Sequence, residues 1–75
     1  MADPAARVRV IWDTKRNPTQ HVSDQLGIKR WELRAAIHKI KARECLAPTD
    51  GVIIYSDGKV TDINGAEIGN IHDET

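Results

Sequence analysis

The chain predicts an α+β domain: an N-terminal strand, two helices in a helix-turn-helix-like pair, then a three-stranded antiparallel β-meander. Three observations carry this. "RVRVIW" (residues 7–12) alternates basic and apolar residues, "WELRAAIHKI" has helical apolar spacing, and Asp57-Gly58 and Asn64-Gly65 each separate short β-prone runs. A chain of 75 residues has room for one core, read as a single domain spanning 1–75 with 1–6 and 72–75 expected to be disordered. Phenylalanine is absent and the aromatics are Trp12, Trp31 and Tyr55, so the core must be mainly aliphatic.

In the strand, Val8, Val10 and Trp12 face away from Arg7 and Arg9, with Ile11 breaking the alternation at the far end. "NPTQ" then has the layout of a helix start: Asn17 as N-cap, Pro18 at the first helical position, and Gln20 placed to reach back. A helix of about two turns carries Val22 and Leu26, and Gly27 stops it, since glycine takes the left-handed conformation without steric penalty. The second helix should run from Lys29 or Arg30 to Glu44. Turning about 100° per residue from Leu33, Ala36, Ile37 and Ile40 fall within about 60° of it and form the core stripe. Arg30, Arg34, His38 and Lys41 occupy the flank from about 60° to 140° as one ridge of (i, i+3) and (i, i+4) neighbours, with Lys39 and Arg43 on the other side. Beyond Cys45 and Leu46, Pro48 ends the helical region. The two turn dipeptides favour type I′ hairpins and predict strands over 52–56, 59–63 and 66–71, with Ile54, Val60, Ile63, Ile68 and Ile71 as apolar candidates.

Formal net charge is zero, yet the signs are segregated. From Arg7 to Arg43 ten basic residues face three acids; from Glu44 onward seven acids face Lys59 alone. The Debye length at ordinary salt is about 8–10 Å, so halves held further apart than that do not cancel. No apolar run approaches the roughly 18 residues of a membrane span, and "MADPAARVRV" lacks the apolar stretch of a secretory signal. With a lone Cys45 excluding an internal disulfide, the chain reads as cytoplasmic, with no membrane partner.

Two chemistries suit the basic segment. Apolar Val22, Leu26, Ile28 and Leu33, small Ser23 and the turn glycine Gly27 match a helix-turn-helix spacing, in which Lys29, Arg30, Trp31 and Arg34 would open a recognition helix toward DNA and the meander would be a wing. Against it, no helix precedes "RVRVIW", and any tight helix pair shares the pattern. Alternatively, on the ridge Arg30, Arg34, His38 and Lys41, Arg34 and Lys41 hold phosphates while His38 takes or gives a proton, which is most of what metal-independent cleavage at an RNA 2′-hydroxyl needs. The plain reading is that long basic side chains solvate an amphipathic helix. Trp31 is placed to stack on a base, although a tryptophan at a helix start more often packs on a neighbouring element. His21, His38, His72 and Cys45 have no metal-ligand spacing, so neither metal nor cofactor is expected, and Asp57 and Asp62 fit turn chemistry.

Taken together, "LGIKRWELRAAIHKIKAR" and "DGVIIYSDGKVTDINGAEIGNIHDE" resemble C-terminal toxin segments of bacterial polymorphic toxins, including contact-dependent inhibition and Rhs-type proteins. The shared pattern is an "LGI" helix pair, an "AIHKIK"-like basic helix, a "DG" hairpin and a closing "IGNI", and covers about residues 25–74. The resemblance implies a ribonuclease, often of tRNA, with a helical layer on an antiparallel sheet and a cognate immunity protein. It points to His38, Lys39 and Lys41 and, less directly, to Asn70. Beginning at Met1 with no delivery region, the chain reads as a free-standing copy, active or inactive. The expected partners are therefore RNA or DNA, an acidic immunity-type protein covering the ridge, or a second copy. In a third reading, a protein-interaction domain, the second copy would add at a meander edge to give a homodimer.

Overall fold

The computed structural model describes residues 8–14 and 18–75. In chain order these form β1 (Val10–Thr14), α1 (Gln20–Leu26), α2 (Arg30–Arg43), β2 (Val52–Tyr55), β3 (Lys59–Asp62), β4 (Glu67–Asn70) and the short helix α3 (Ile71–Glu74). The strands make one antiparallel sheet in the order β1-β2-β3-β4, giving an α+β fold. The N-terminal strand is thus not separate from the meander: it pairs with β2 as a fourth strand. The stripe expected on the second helix is buried, Leu33, Ala36, Ile37 and Ile40 meeting Val52, Ile54 and Val60 of the sheet in one cluster with Trp12 and Ile71.

β1 begins later than the alternation suggests, and Arg7 lies outside the described residues. Val10 pairs with Tyr55 and Trp12 with Ile54, so Ile11 is an extra residue in the ladder. Such a bulge bends the strand and re-aims the side chains on either side of it. Trp12 therefore points into the core while Val8 and Val10, expected on the same face, are exposed. Ile63, counted among the apolar candidates, falls in the β3–β4 turn and is exposed as well.

Helix α1 starts two residues later than the sequence layout implies. The first intrahelical bonds run from the Val22 and Ser23 N–H groups to the Thr19 carbonyl, so Thr19 is the N-cap and Pro18 is buried just ahead of it; Asn17 lies outside the described residues. The Gln20 side-chain amide donates forward, to Ser23 Oγ (3.1 Å) and Asp24 Oδ1 (3.0 Å). Gly27 ends the helix at φ 71, where its N–H meets the Asp24 carbonyl and that of Ile28 the Ser23 carbonyl, the paired bonds of a Schellman cap. Helix α2 closes the same way without a glycine. Cys45 takes φ 59, its N–H donates to the Ala42 carbonyl (3.2 Å), and the Leu46 N–H donates to the Lys41 carbonyl (2.8 Å).

The hairpins differ from the type I′ expectation. Gly58 and Gly65 have positive φ, but Asp57 and Asn64 do not, so each turn uses one left-handed residue in the type I plus glycine-bulge form. The aspartates explain the preference: Asp57 Oδ1 accepts from the Lys59 N–H, and Asp62 Oδ1 from both Asn64 and Ala66 N–H groups, bonds that hold ordinary negative φ ahead of the glycine. At the C-terminus, residues 72–75 were expected to be disordered. Instead the Asn70 side chain accepts the His72 N–H (2.9 Å), capping α3, and buried Ile71 donates its N–H to the Gly58 carbonyl (2.8 Å). Gly69 lets α2 lie close to β4, as a Cβ there would come within 2.9 Å of Ile40 Cγ1.

Candidate nucleic-acid interface

Each side of α2 follows from its angle to the core stripe. Leu33, Ala36 and Ile40 are fully buried, so residues on the opposite arc must face solvent. Trp31, Arg34, Ala35, His38 and Lys39 are exposed there, with Lys29 and Arg30 at the N-terminal end. The tendency of a helix-start tryptophan to pack on a neighbour does not hold here. Trp31 is 66 % exposed: α1 meets α2 through Ser23, Val22 and Leu26, and the indole borders a shallow hollow with Glu32, Ala35, Lys39, Glu74 and Thr75.

The sheet's acids leave this face alone. Among the described residues the ion pairs are Arg43–Glu74 (2.6 Å) and Arg43–Glu44 (3.9 Å), which leave Lys29, Arg30, Arg34 and Lys39 with no carboxylate within 4.0 Å. The hydrogen bonds show why. Asp57 and Asp62 serve their own turns, Asp50 Oδ2 accepts the Ala47 N–H, and Glu32 Oε1 accepts the Lys29 N–H at the start of α2. Glu74 is held by Arg43, whose guanidinium is raised above its ordinary pKa by that hydrogen bond and by the charge of Glu74.

The predicted ridge is only partly a ridge. Arg34, His38 and Lys41 line one cleft of about 360 Å³, closed by Ala35 and Ile37 of the same helix and by Pro18 and Pro48. Arg30 does not reach it. Lys41 was expected to stand out with the others, but it is buried with its Nζ donating to the Pro48 carbonyl (2.9 Å). At about 80° from Leu33 it sits at the edge of the stripe, so its methylene stem packs inward and only the amine reaches the cleft wall. Burial lowers its pKa below the ordinary lysine value, and the charge of Asp50 offsets this in part. Pro18, Pro48 and Asp50 were absent from the sequence-derived site. Pro48 is recognisable there only as a helix terminator.

Asn70 has a structural task as the cap of α3, and its neighbours in "IGNI" also have one: Gly69 admits α2 and Ile71 fills the core. His21, His38, His72 and Cys45 lie on α1, α2, α3 and the loop after α2, and among the described residues no three His, Cys, Asp or Glu side chains converge. No helix among them is long and apolar enough to cross a membrane. The chain matches no family model, no curated protein and no solved structure.

Proposed function

We propose that the chain is a nucleic-acid-directed domain that holds an RNA phosphate backbone on the solvent face of α2, in the manner of the polymorphic-toxin ribonucleases it resembles. The observation that carries this reading is the absence of acidic partners: Arg30 and Arg34 on one flank of the exposed arc of α2 and Lys39 on the other have no carboxylate in ion-pair range among the described residues. Arg34 and the Lys41 amine border the cleft as phosphate-binding groups, and His38 between them is the candidate for proton transfer at a 2′-hydroxyl. Lys29, Arg30 and Lys39 extend the contact along the helix. An acidic protein fitting the same face would compete with RNA. The expected outcome is cleavage of tRNA by the purified protein, reduced at least about 100-fold by His38→Ala with the circular dichroism spectrum unchanged; wild-type protein that leaves every RNA intact on a gel removes the catalytic part.

A second reading, duplex-DNA binding without catalysis, is favoured by the joint between α1 and α2. Ser23 is fully buried, Gly27 is left-handed, and Lys29, Arg30, Trp31 and Arg34 stand exposed at the start of α2, as a recognition helix requires. Under this reading a 12-base-pair duplex outcompetes single strands of equal length, and His38→Ala has no effect.

A further inference from the structure

We infer that the ligand of the α2 face is single-stranded, with Trp31 as the platform on which an unpaired base stacks. This rests on the nucleic-acid reading above and adds which form of nucleic acid the face takes. Measured around the helix from Leu33, Arg34 lies at about 100°, Trp31 at about 160° and Lys39 at about 240°, so the indole stands at the crest of the exposed face with a cation on either side. One turn on, the next residue along this crest is Ala35, whose methyl is too short to cover the ring; Trp31, Ala35 and Lys39 border a shallow hollow with Glu32, Glu74 and Thr75, and the Glu74 carboxylate there is paired with Arg43 (2.6 Å). A strand crossing α2 can place one phosphate near Arg34, the next near Lys39, and the base between them on the indole.

The chemistry of the indole decides against a duplex. Its polar repertoire is one N–H donor and no acceptor, so it reads little from the base edges that a groove presents. Its value as a contact is its flat face, and in a duplex every base face is already covered by its neighbours. Unpaired bases offer that face, and stacking on an aromatic side chain tolerates any sequence. Burying a 66 % exposed tryptophan in this way also accounts for a large apolar group that the fold itself leaves in water.

Intrinsic fluorescence tests this directly, because the other tryptophan, Trp12, is only 8 % exposed and reports from the core. The protein is titrated at low salt with oligo(dT), with oligo(rU) and with a mixed-sequence duplex, each of about 12 nucleotides or base pairs. Support consists of quenching by the single strands, tighter binding to them than to the duplex, and a roughly tenfold or greater loss of affinity in Trp31→Ala that Trp31→Phe largely restores. Since Trp31 makes no core contact, both variants should keep the wild-type unfolding midpoint. Binding to the duplex at least as tight, or unquenched binding that Trp31→Ala leaves unchanged, overturns the inference while the nucleic-acid reading stands. Failure of all three probes to bind at low salt overturns both. Comparing oligo(rU) with oligo(dT) reports whether the sugar hydroxyl contributes.

Discussion

At the residue scale, Cys45 shows what side-chain chemistry leaves unmarked. It closes α2 from the left-handed region at φ 59, where an L-residue is disfavoured by about 1–2 kcal/mol, and its exposed thiol makes no contact that offsets this. Cys45→Gly is expected to stabilise the fold by about 1 kcal/mol, a rise of several degrees in Tm in a domain of this size, measurable by thermal denaturation under reducing conditions. The matching closure of α1 was legible in the sequence because Gly27 announces it; a cysteine announces nothing. Lys41 was misplaced for a related reason: its angle puts it on the border between core and surface, and the carbonyl that receives its amine belongs to Pro48, seven residues on. Its pKa is lowered in the folded state, so between that value and the ordinary 10.5 the unfolded chain binds more protons. Stability must therefore rise with pH through the window just below 10.5, where the penalty for burying a charged amine disappears. Urea unfolding of wild type and Lys41→Met at neutral and alkaline pH should show the wild type gaining on the variant as pH increases; a difference that stays constant would mean the amine is not desolvated.

At the scale of elements, the helices were the most readable part, because a 3.6-residue apolar period is a local property: Lys29 or Arg30 to Glu44 was expected and Arg30–Arg43 is found. Strand positions were legible too, but their partners were not. The pairing of β1 with β2 joins residues about 40 apart, and the bulge at Ile11 that aims Trp12 inward is set by that pairing rather than by local alternation. Contact between α2 and β4 is similarly non-local and turns on one missing side chain. A methyl at Gly69 would meet Ile40 Cγ1 at 2.9 Å and Arg43 Nη2 at 3.0 Å. Gly69→Ala is therefore expected to lower stability by about 1–3 kcal/mol, since overpacking forces a backbone or rotamer shift, and to loosen Arg43 from Glu74. An unchanged urea midpoint would show that the helix can retreat without cost.

For the molecule as a whole, the division of charge along the sequence proved informative in an unexpected way. The acid-rich segment might have folded over the basic helix; instead its aspartates were recruited by the turns they punctuate, and α2 kept its positive face. With three such cations, Arg30, Arg34 and Lys39, on phosphates of a single strand, log affinity should fall with log salt at a slope of about −2. Raising salt fourfold then weakens binding by roughly 20-fold. A flat salt response would mean that the contacts are not to phosphates. The exposed cations Arg30, Arg34 and Lys39 were nameable beforehand because charge and helical phase suffice to place them, whereas the burial of Lys41 and the cleft at Pro18 and Pro48 needed the loops to be in position. The bulge in β1 has a bearing beyond aiming Trp12. β1 is an outermost strand, and an irregular, twisted border is a poor template for a further strand. β4, at the opposite border, is four residues long and passes at once into a helical turn. Neither side then invites ladder growth from copy to copy, so a concentrated solution of this protein should resist fibril formation despite two exposed valines beside the bulge.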